Sequence, residues 1–346
     1  MINKQKEYDL KYVLSWLVIC SVMIVIMVII GGLTRSTESG LSMVEWKIIS
    51  GIIPPFTSND WIESFDKYKQ FPEYKLINKN ITLNDFQFIF WMEYMHRMWG
   101  RLIFLVVLIP FIYFLKKKII PQKFKKHFFI IIFLIIVQGF LGWFMVKSGL
   151  VDNPNVSQYR LSIHLIMAFL IYGYLLLLSF TFYNLIKKKK EILIKNSNPI
   201  FIINFLLITL ILITIGSGGL VAGLDAGLVY NTFPKMGDRI VPREIFDLKP
   251  LYLNFFENPV TVQFNHRILG FLSLITGILL LICSKTKQLH KKIILIVLMI
   301  ILQMILGVAT LLNYVPIYLA ISHQLGALIL FSLLLWTIKS LPLVSK

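Results

Sequence analysis

The chain has 346 residues, 57% of them hydrophobic, a mean hydropathy of +0.76 and a formal net charge of +18. A soluble domain rarely reaches that apolar content, so the bilayer is the expected solvent. Only Cys20 and Cys283 are present, both inside apolar stretches, which excludes an outer-face disulfide and leaves them as packing residues.

Eight apolar stretches approach the roughly 20 residues that a membrane helix needs. The first, 12–33, is too long for the core of a signal peptide and runs into Gly31-Gly32-Leu33, so it reads as a helix. A long loop, 35–86, follows with Pro54 and Pro55. The second stretch, 87–115, carries Glu93, His96, Arg97 and Arg101. The third, 127–146, carries Gln138 and Gly142, and the fourth, 160–184, carries Arg160 and His164. The lysine run Lys187 to Lys190 and Asn196-Ser197-Asn198-Pro199 then break the pattern. The fifth stretch, 200–222, ends in Gly218-Gly219-Leu220 and opens a second long loop, 223–261, with Pro234, Pro242 and Pro250. The sixth, 262–283, carries Gln263, His266 and Arg267. The seventh, 293–313, carries Gln303 and Gly307, and the eighth, 315–338, carries His323.

Charge falls on alternate sides of these spans. One side, with both termini, carries 20 basic residues against three acids, and the other 12 against 13. That is a positive-inside signal with cytoplasmic termini rather than a nucleic-acid surface.

The chain also repeats. Gly31-Gly32-Leu33 matches Gly218-Gly219-Leu220, and Glu38-Ser39-Gly40-Leu41 matches Asp225-Ala226-Gly227-Leu228. His96-Arg97 matches His266-Arg267, Gln138 and Gly142 match Gln303 and Gly307, and His164 matches His323. The expected fold is an all-α membrane protein of eight transmembrane helices. It forms two tandem four-helix bundles, residues 1–190 and 191–346. Each half has an even number of spans, so a pseudo-two-fold axis along the membrane normal relates them.

An imidazole inside the bilayer is costly unless it has a partner or a task. Four at repeat-equivalent places, all near the outer ends of spans, point to two duplicated sites. Facing histidines from the second and fourth helices of a bundle can reach a common point. Two imidazoles with no third strong ligand fit bis-histidine haem ligation better than zinc. Glu93 lies three residues before His96 on the same helical face. It can serve as a proton donor or acceptor, as a partner that orients His96, or in a salt bridge with Arg97, Arg101 or Arg267. Gln263 stands at the matching place, which suggests chemistry in the first half and electron storage or transfer in the second. Arg97, Arg101, Arg160 and Arg267 are candidate partners for haem propionates, with interfacial anchoring an equal alternative for Arg160. His127 and His290, beside the inner loops, are expected to be solvated. From the residues alone, three classes remain: a haem enzyme, a diheme cytochrome b that only passes electrons, and a parallel-repeat transporter. One-sided Glu93 and the long outer loops speak against the cytochrome, and uninterrupted spans against the transporter.

Glu93-Tyr94-Met95-His96-Arg97-Met98-Trp99-Gly100-Arg101 and Gln263-Phe264-Asn265-His266-Arg267 resemble heme A synthases. So do Gly31-Gly32-Leu33-Thr34-Arg35 running into Glu38-Ser39-Gly40-Leu41-Ser42-Met43, Gln138-Gly139-Phe140-Leu141-Gly142-Trp143, Ala222-Gly223-Leu224-Asp225-Ala226-Gly227 and His323-Gln324. The resemblance covers about 12–338 and is to the proteobacterial and mitochondrial branch, without the outer-loop cysteine pair of another branch.

The resemblance implies oxidation of the C8 methyl of heme O to a formyl group, giving heme A for cytochrome c oxidase. Two hydroxylations would give a geminal diol that loses water. It implies a substrate site on His96 and His164 with Glu93 essential, and a heme b cofactor on His266 and His323. All four histidines would then be axial ligands of haem iron. The implied partners are heme O synthase (the farnesyltransferase) as supplier, cytochrome c oxidase or its assembly factors as receiver, and an electron-transfer partner. The implied place is the bacterial inner membrane, in contact with lipid and not nucleic acid, and a homo-oligomer is compatible with it.

Overall fold

The computed structural model describes residues 4–45, 50–150, 154–187, 199–284 and 286–339. In chain order the helices are α1 (Lys4–Ser36), α2 (Ser58–Tyr68), α3 (Pro72–Leu76), α4 (Leu83–Lys116), α5 (Lys125–Gly149), α6 (Gln158–Ile186), α7 (Pro199–Gly223), α8 (Asn254–Glu257), α9 (Pro259–Cys283), α10 (Lys287–Leu312) and α11 (Ile317–Ile338). Eight of these are long and apolar enough to cross a membrane, and no strand occurs among the described residues, so the chain is an all-helical, multi-pass membrane protein. The expected boundary at 190/191 lies outside the described residues.

Helix limits differ from the hydropathy reading for local reasons. The second span starts at Leu83 because Thr82 and Asp85 form a capping box that extends the helix into the outer loop. The seventh starts at Lys287, since lysines are good helix formers outside the bilayer. The eighth starts at Ile317, after Tyr314 and Val315, which adopt φ of 60° and 57°, and Pro316.

In the first half, α1 packs on α4 and α6, and α5 packs on the same two helices. In the second, α7 packs on α9 and α11, and α10 on the same pair. Trp16 and Trp99 donate to the carbonyls of Val106 and Met23, tying α1 to α4. Across the halves, α6 meets α7 and α11, and α1 meets α11. Ser162 donates to the Gly216 carbonyl at 2.7 Å, and Tyr172 shares a hydrogen bond with Ser332. Small residues permit these approaches. A Cβ at Gly32 would collide with Gln324, and one at Gly219 would lie 2.8 Å from the Ser162 backbone.

The first outer loop folds on itself. α2 and α3 close an aromatic cluster of Phe65, Tyr68, Phe86 and Phe90. Glu73 is buried there and accepts from the Tyr68 hydroxyl, which accepts in turn from Asn78. Burial pushes its pKa from 4.5 up to about 8. The folded cap therefore favours the neutral acid. Its contribution is fully present below about pH 4.5 and is lost as pH rises towards about 8. Glu73→Gln is expected to raise the unfolding temperature near pH 9 and to leave it unchanged near pH 4, read by thermal melts at the two values.

Candidate functional site

Each predicted histidine lies on a different helix, and each ring rests on a glycine of a neighbouring helix. A Cβ on Gly31 of α1 would lie 3.2 Å from His96 Cε1, and one on Gly142 of α5 would lie 3.2 Å from His164 Cε1. In the second half the distances are 3.3 Å from Gly218 to His266 and 3.2 Å from Gly307 to His323. The repeated glycines thus clear room for the repeated rings. All four Nδ1 atoms are buried without a hydrogen-bond partner. Unsatisfied buried polar atoms are rare in a settled fold, and four in equivalent places imply a function.

The His266 and His323 ring centroids lie 6.4 Å apart, with planes inclined at 76°. Two imidazoles sharing one iron, each with a nitrogen about 2 Å from it, put their ring centres roughly 6 Å apart. The second pair therefore fits the bis-histidine arrangement. Among the described residues no three His, Cys, Asp or Glu side chains gather around a point, so neither pair makes a zinc-type cage.

Glu93 is buried, and its carboxylate is fully engaged. Oε2 accepts from Ser42 Oγ and from the Met43 backbone amide, each at 2.7 Å. Oε1 accepts from Arg97 Nη2 at 2.5 Å and Nε at 3.0 Å. Arg97 also donates to the carbonyls of Met43 at 2.8 Å and Glu45 at 3.3 Å. The pair clamps the start of the first outer loop onto α4, one turn above His96. Among the described residues no hydrogen bond joins Glu93 to His96. The second half repeats the clamp without the acid. Gln263 and Arg267 both donate to the Tyr230 carbonyl at 3.1 Å, and Arg267 reaches Thr232 and Lys235.

Of the four arginines expected near propionates, Arg97 and Arg267 hold loop backbone. Arg160 donates to the Phe144 carbonyl at 2.5 Å and sits 3.6 Å over the Phe144 ring centre. Arg101 Nη1 lies 3.9 Å from Met98 Sδ. His127 departs from expectation. It is half-buried and bonded to the Tyr174 hydroxyl at 2.7 Å, because α5 turns that face towards α6. His290 is exposed, as expected, beside Ser284. Ser42 and Met43 stood in the motif that resembles heme A synthases, but nothing in the sequence showed that they bind Glu93.

Glycine cradles can be tested within one helix. Gly142→Ala is expected to displace the His164 ring by a few tenths of an ångström and to weaken haem binding in the first half by about tenfold. Gly139→Ala, in the same helix with nothing within 4 Å, is expected to be silent. Haem titration of the two purified variants checks the contrast, and equal affinities would remove the cradle's role.

Fold and site together define a multi-pass membrane protein with a pair of buried, glycine-cradled histidines in each half. The chain matches the cytochrome oxidase assembly protein family, COX15-CtaA, over residues 14–335 and belongs to that family. It is 44% identical to the heme A synthase of Nitrosospira multiformis, covering 96% of this chain and 94% of that protein. The heme A synthase of Wolbachia pipientis from Culex pipiens is also 44% identical, over 96% of this chain and 98% of its own length. That of Rickettsia africae is 43% identical over 93% and 96%.

Proposed function

We propose that this protein is a heme A synthase, an oxidoreductase that converts the C8 methyl group of heme O to the formyl group of heme A. The observation that carries the reading is the duplicated histidine–glycine socket with an acid in one half only, in a chain at least 43% identical to synthases over nearly its whole length. Residues 1–190 and 191–346 act as two four-helix halves related by an axis along the membrane normal. His96 and His164 hold the substrate haem, with Glu93 beside them. His266 and His323 hold a permanent heme b, whose iron supplies one-electron redox chemistry. Arg101, five residues after His96 on α4, is a candidate partner for a haem propionate.

The residues then have distinct tasks. His96 and His164 orient the macrocycle so that one methyl edge faces a fixed place in the protein. Glu93 and Arg97 keep the outer loop seated one turn above that place, which excludes bulk water. Gln263 and Arg267 do the same over the second pair with no ionisable acid. Membership of the family links the protein to cytochrome oxidase assembly, with a farnesylating heme O synthase upstream and the oxidase or its assembly factors downstream. The protein sits in the inner membrane with both termini in the cytoplasm, consistent with the lysine-rich loops on one side.

Co-expression with a heme O synthase in a host lacking heme A tests the reading. Pigment extraction is expected to show heme A appearing at the expense of heme O. Persistence of heme O alone, with the protein present and loaded with heme b, would refute it.

A further inference from the structure

Gln138 and Gln303 occupy the same place in the repeat, four residues before the cradle glycines Gly142 and Gly307. Their side chains are placed differently. Gln138 Nε2 lies 3.3 Å from His164 Nε2 and donates to the His164 carbonyl at 3.1 Å. The Gln303 side chain makes no hydrogen bond to His323 among the described residues, only its backbone approaches that ring, and its Nε2 is buried without a partner. It lies directly on Gly326 of α11, where a Cβ would collide with that nitrogen. The residue matching Gly326 in α6, three after the histidine, is Met167. Met167 is partly buried against the core, so the first half carries a long side chain where the second has none.

We propose that Gln138 is a positioning residue that makes the first haem site reversible. Its amide competes with iron for the lone pair of His164 Nε2, while Gly326 parks the equivalent Gln303 away from His323. A substrate site must bind heme O and give up heme A. A cofactor site must keep its haem. One glutamine serves both needs because a single small-to-large change, Gly326 against Met167, decides where its amide rests. A nitrogen whose lone pair accepts a hydrogen bond cannot ligate at the same moment. The competition is worth about one neutral hydrogen bond, roughly 5- to 10-fold in haem affinity. The inference rests on the assignment of the first pair to substrate and the second to heme b.

Transfer of bound haem to excess apomyoglobin, followed separately for heme A and heme b, tests it on the full-length protein after co-expression with heme O synthase. Gln138→Ala and Met167→Gly are expected to hold heme A about 5- to 10-fold longer than wild type, with heme b retention unchanged. Gly326→Ala, which drives the Gln303 amide off its seat, is expected to make heme b leave faster by a similar factor. Met167→Gly keeps Gln138 and so separates competition from loss of packing. Heme A release within twofold of wild type in both first-half variants would overturn the proposal. Wild-type protein that carries heme b but never heme O or heme A would instead refute the functional reading, and the two failures are read from different pigments.

Discussion

Glu93→Ala is expected to abolish heme A formation while heme b stays bound. The carboxylate is the common acceptor for Ser42, Met43 and Arg97, with side-chain exposures of only 3% for Glu93 and 7% for Arg97. Removing one partner of such a pair strands a buried guanidinium, at about 3–5 kcal/mol. The loop above His96 then loses its seat. A proton-transferring acid would be lost in the same stroke, and general acid–base contributions run to roughly 100-fold or more. Either way, heme A output is expected to fall at least about 100-fold, with heme O accumulating. The bonds that hold Glu93 all come from the first half, so the second half's b-type spectrum is expected to persist. Pigment extraction and a reduced-minus-oxidised spectrum of the same membranes give both readouts, and normal heme A output would refute the role. Glu93→Gln divides the two contributions. Its amide oxygen still accepts from Ser42 and Met43 but carries no transferable proton. Output kept with Gln assigns loop seating, whereas output lost assigns proton chemistry only where the outer loop keeps its wild-type protease resistance, because the Gln amide N–H faces the Arg97 donors in place of Oε1.

Much of this arrangement was legible in the sequence because duplication acts as an internal alignment. The pairs Gly31/Gly218, Gly142/Gly307 and His96/His266 could be matched without any second chain, and Glu38 and Asp225, matched in the same way, both adopt a left-handed conformation with φ of 51° and 49°. What duplication cannot supply is the face that each helix turns inward. These spans are apolar all round, so periodicity carries almost no orientation signal. The sequence therefore marked the glycines as repeated without revealing that each faces a ring. It offered three roles for Glu93, of which the structure places the ion pair with Arg97 and finds no bond to His96. The arginines were assigned by charge alone, and charge does not say that Arg97 and Arg267 spend their donors on loop carbonyls. α2 and α3 were missed for a different reason. They are short and half polar, and the only strong local marker was the capping box of Thr57 and Asp60.

His266→Ala or His323→Ala is expected to remove heme b from the purified protein. The two rings project from α9 and α11 at a centroid separation of 6.4 Å, so either alone leaves iron with a single protein ligand and a gap where the second ring stood. Nothing nearby can substitute. Among the described residues no cysteine, acid or further histidine joins the pair, and Gln263 is committed to the Tyr230 carbonyl. Truncation also opens a cavity against Gly218 or Gly307, whose missing Cβ atoms exist to fit the ring. The low-spin b-type signal is expected to vanish in both variants, whereas Gly218→Ala, which only crowds His266, is expected to weaken it. A haem assay on the purified variants measures this, with the first-half pigment as an internal control. An unchanged b-type spectrum in His266→Ala would place the permanent haem on His96 and His164 and reverse the division between the halves, because the acid at Glu93 would then stand beside the cofactor rather than beside the substrate.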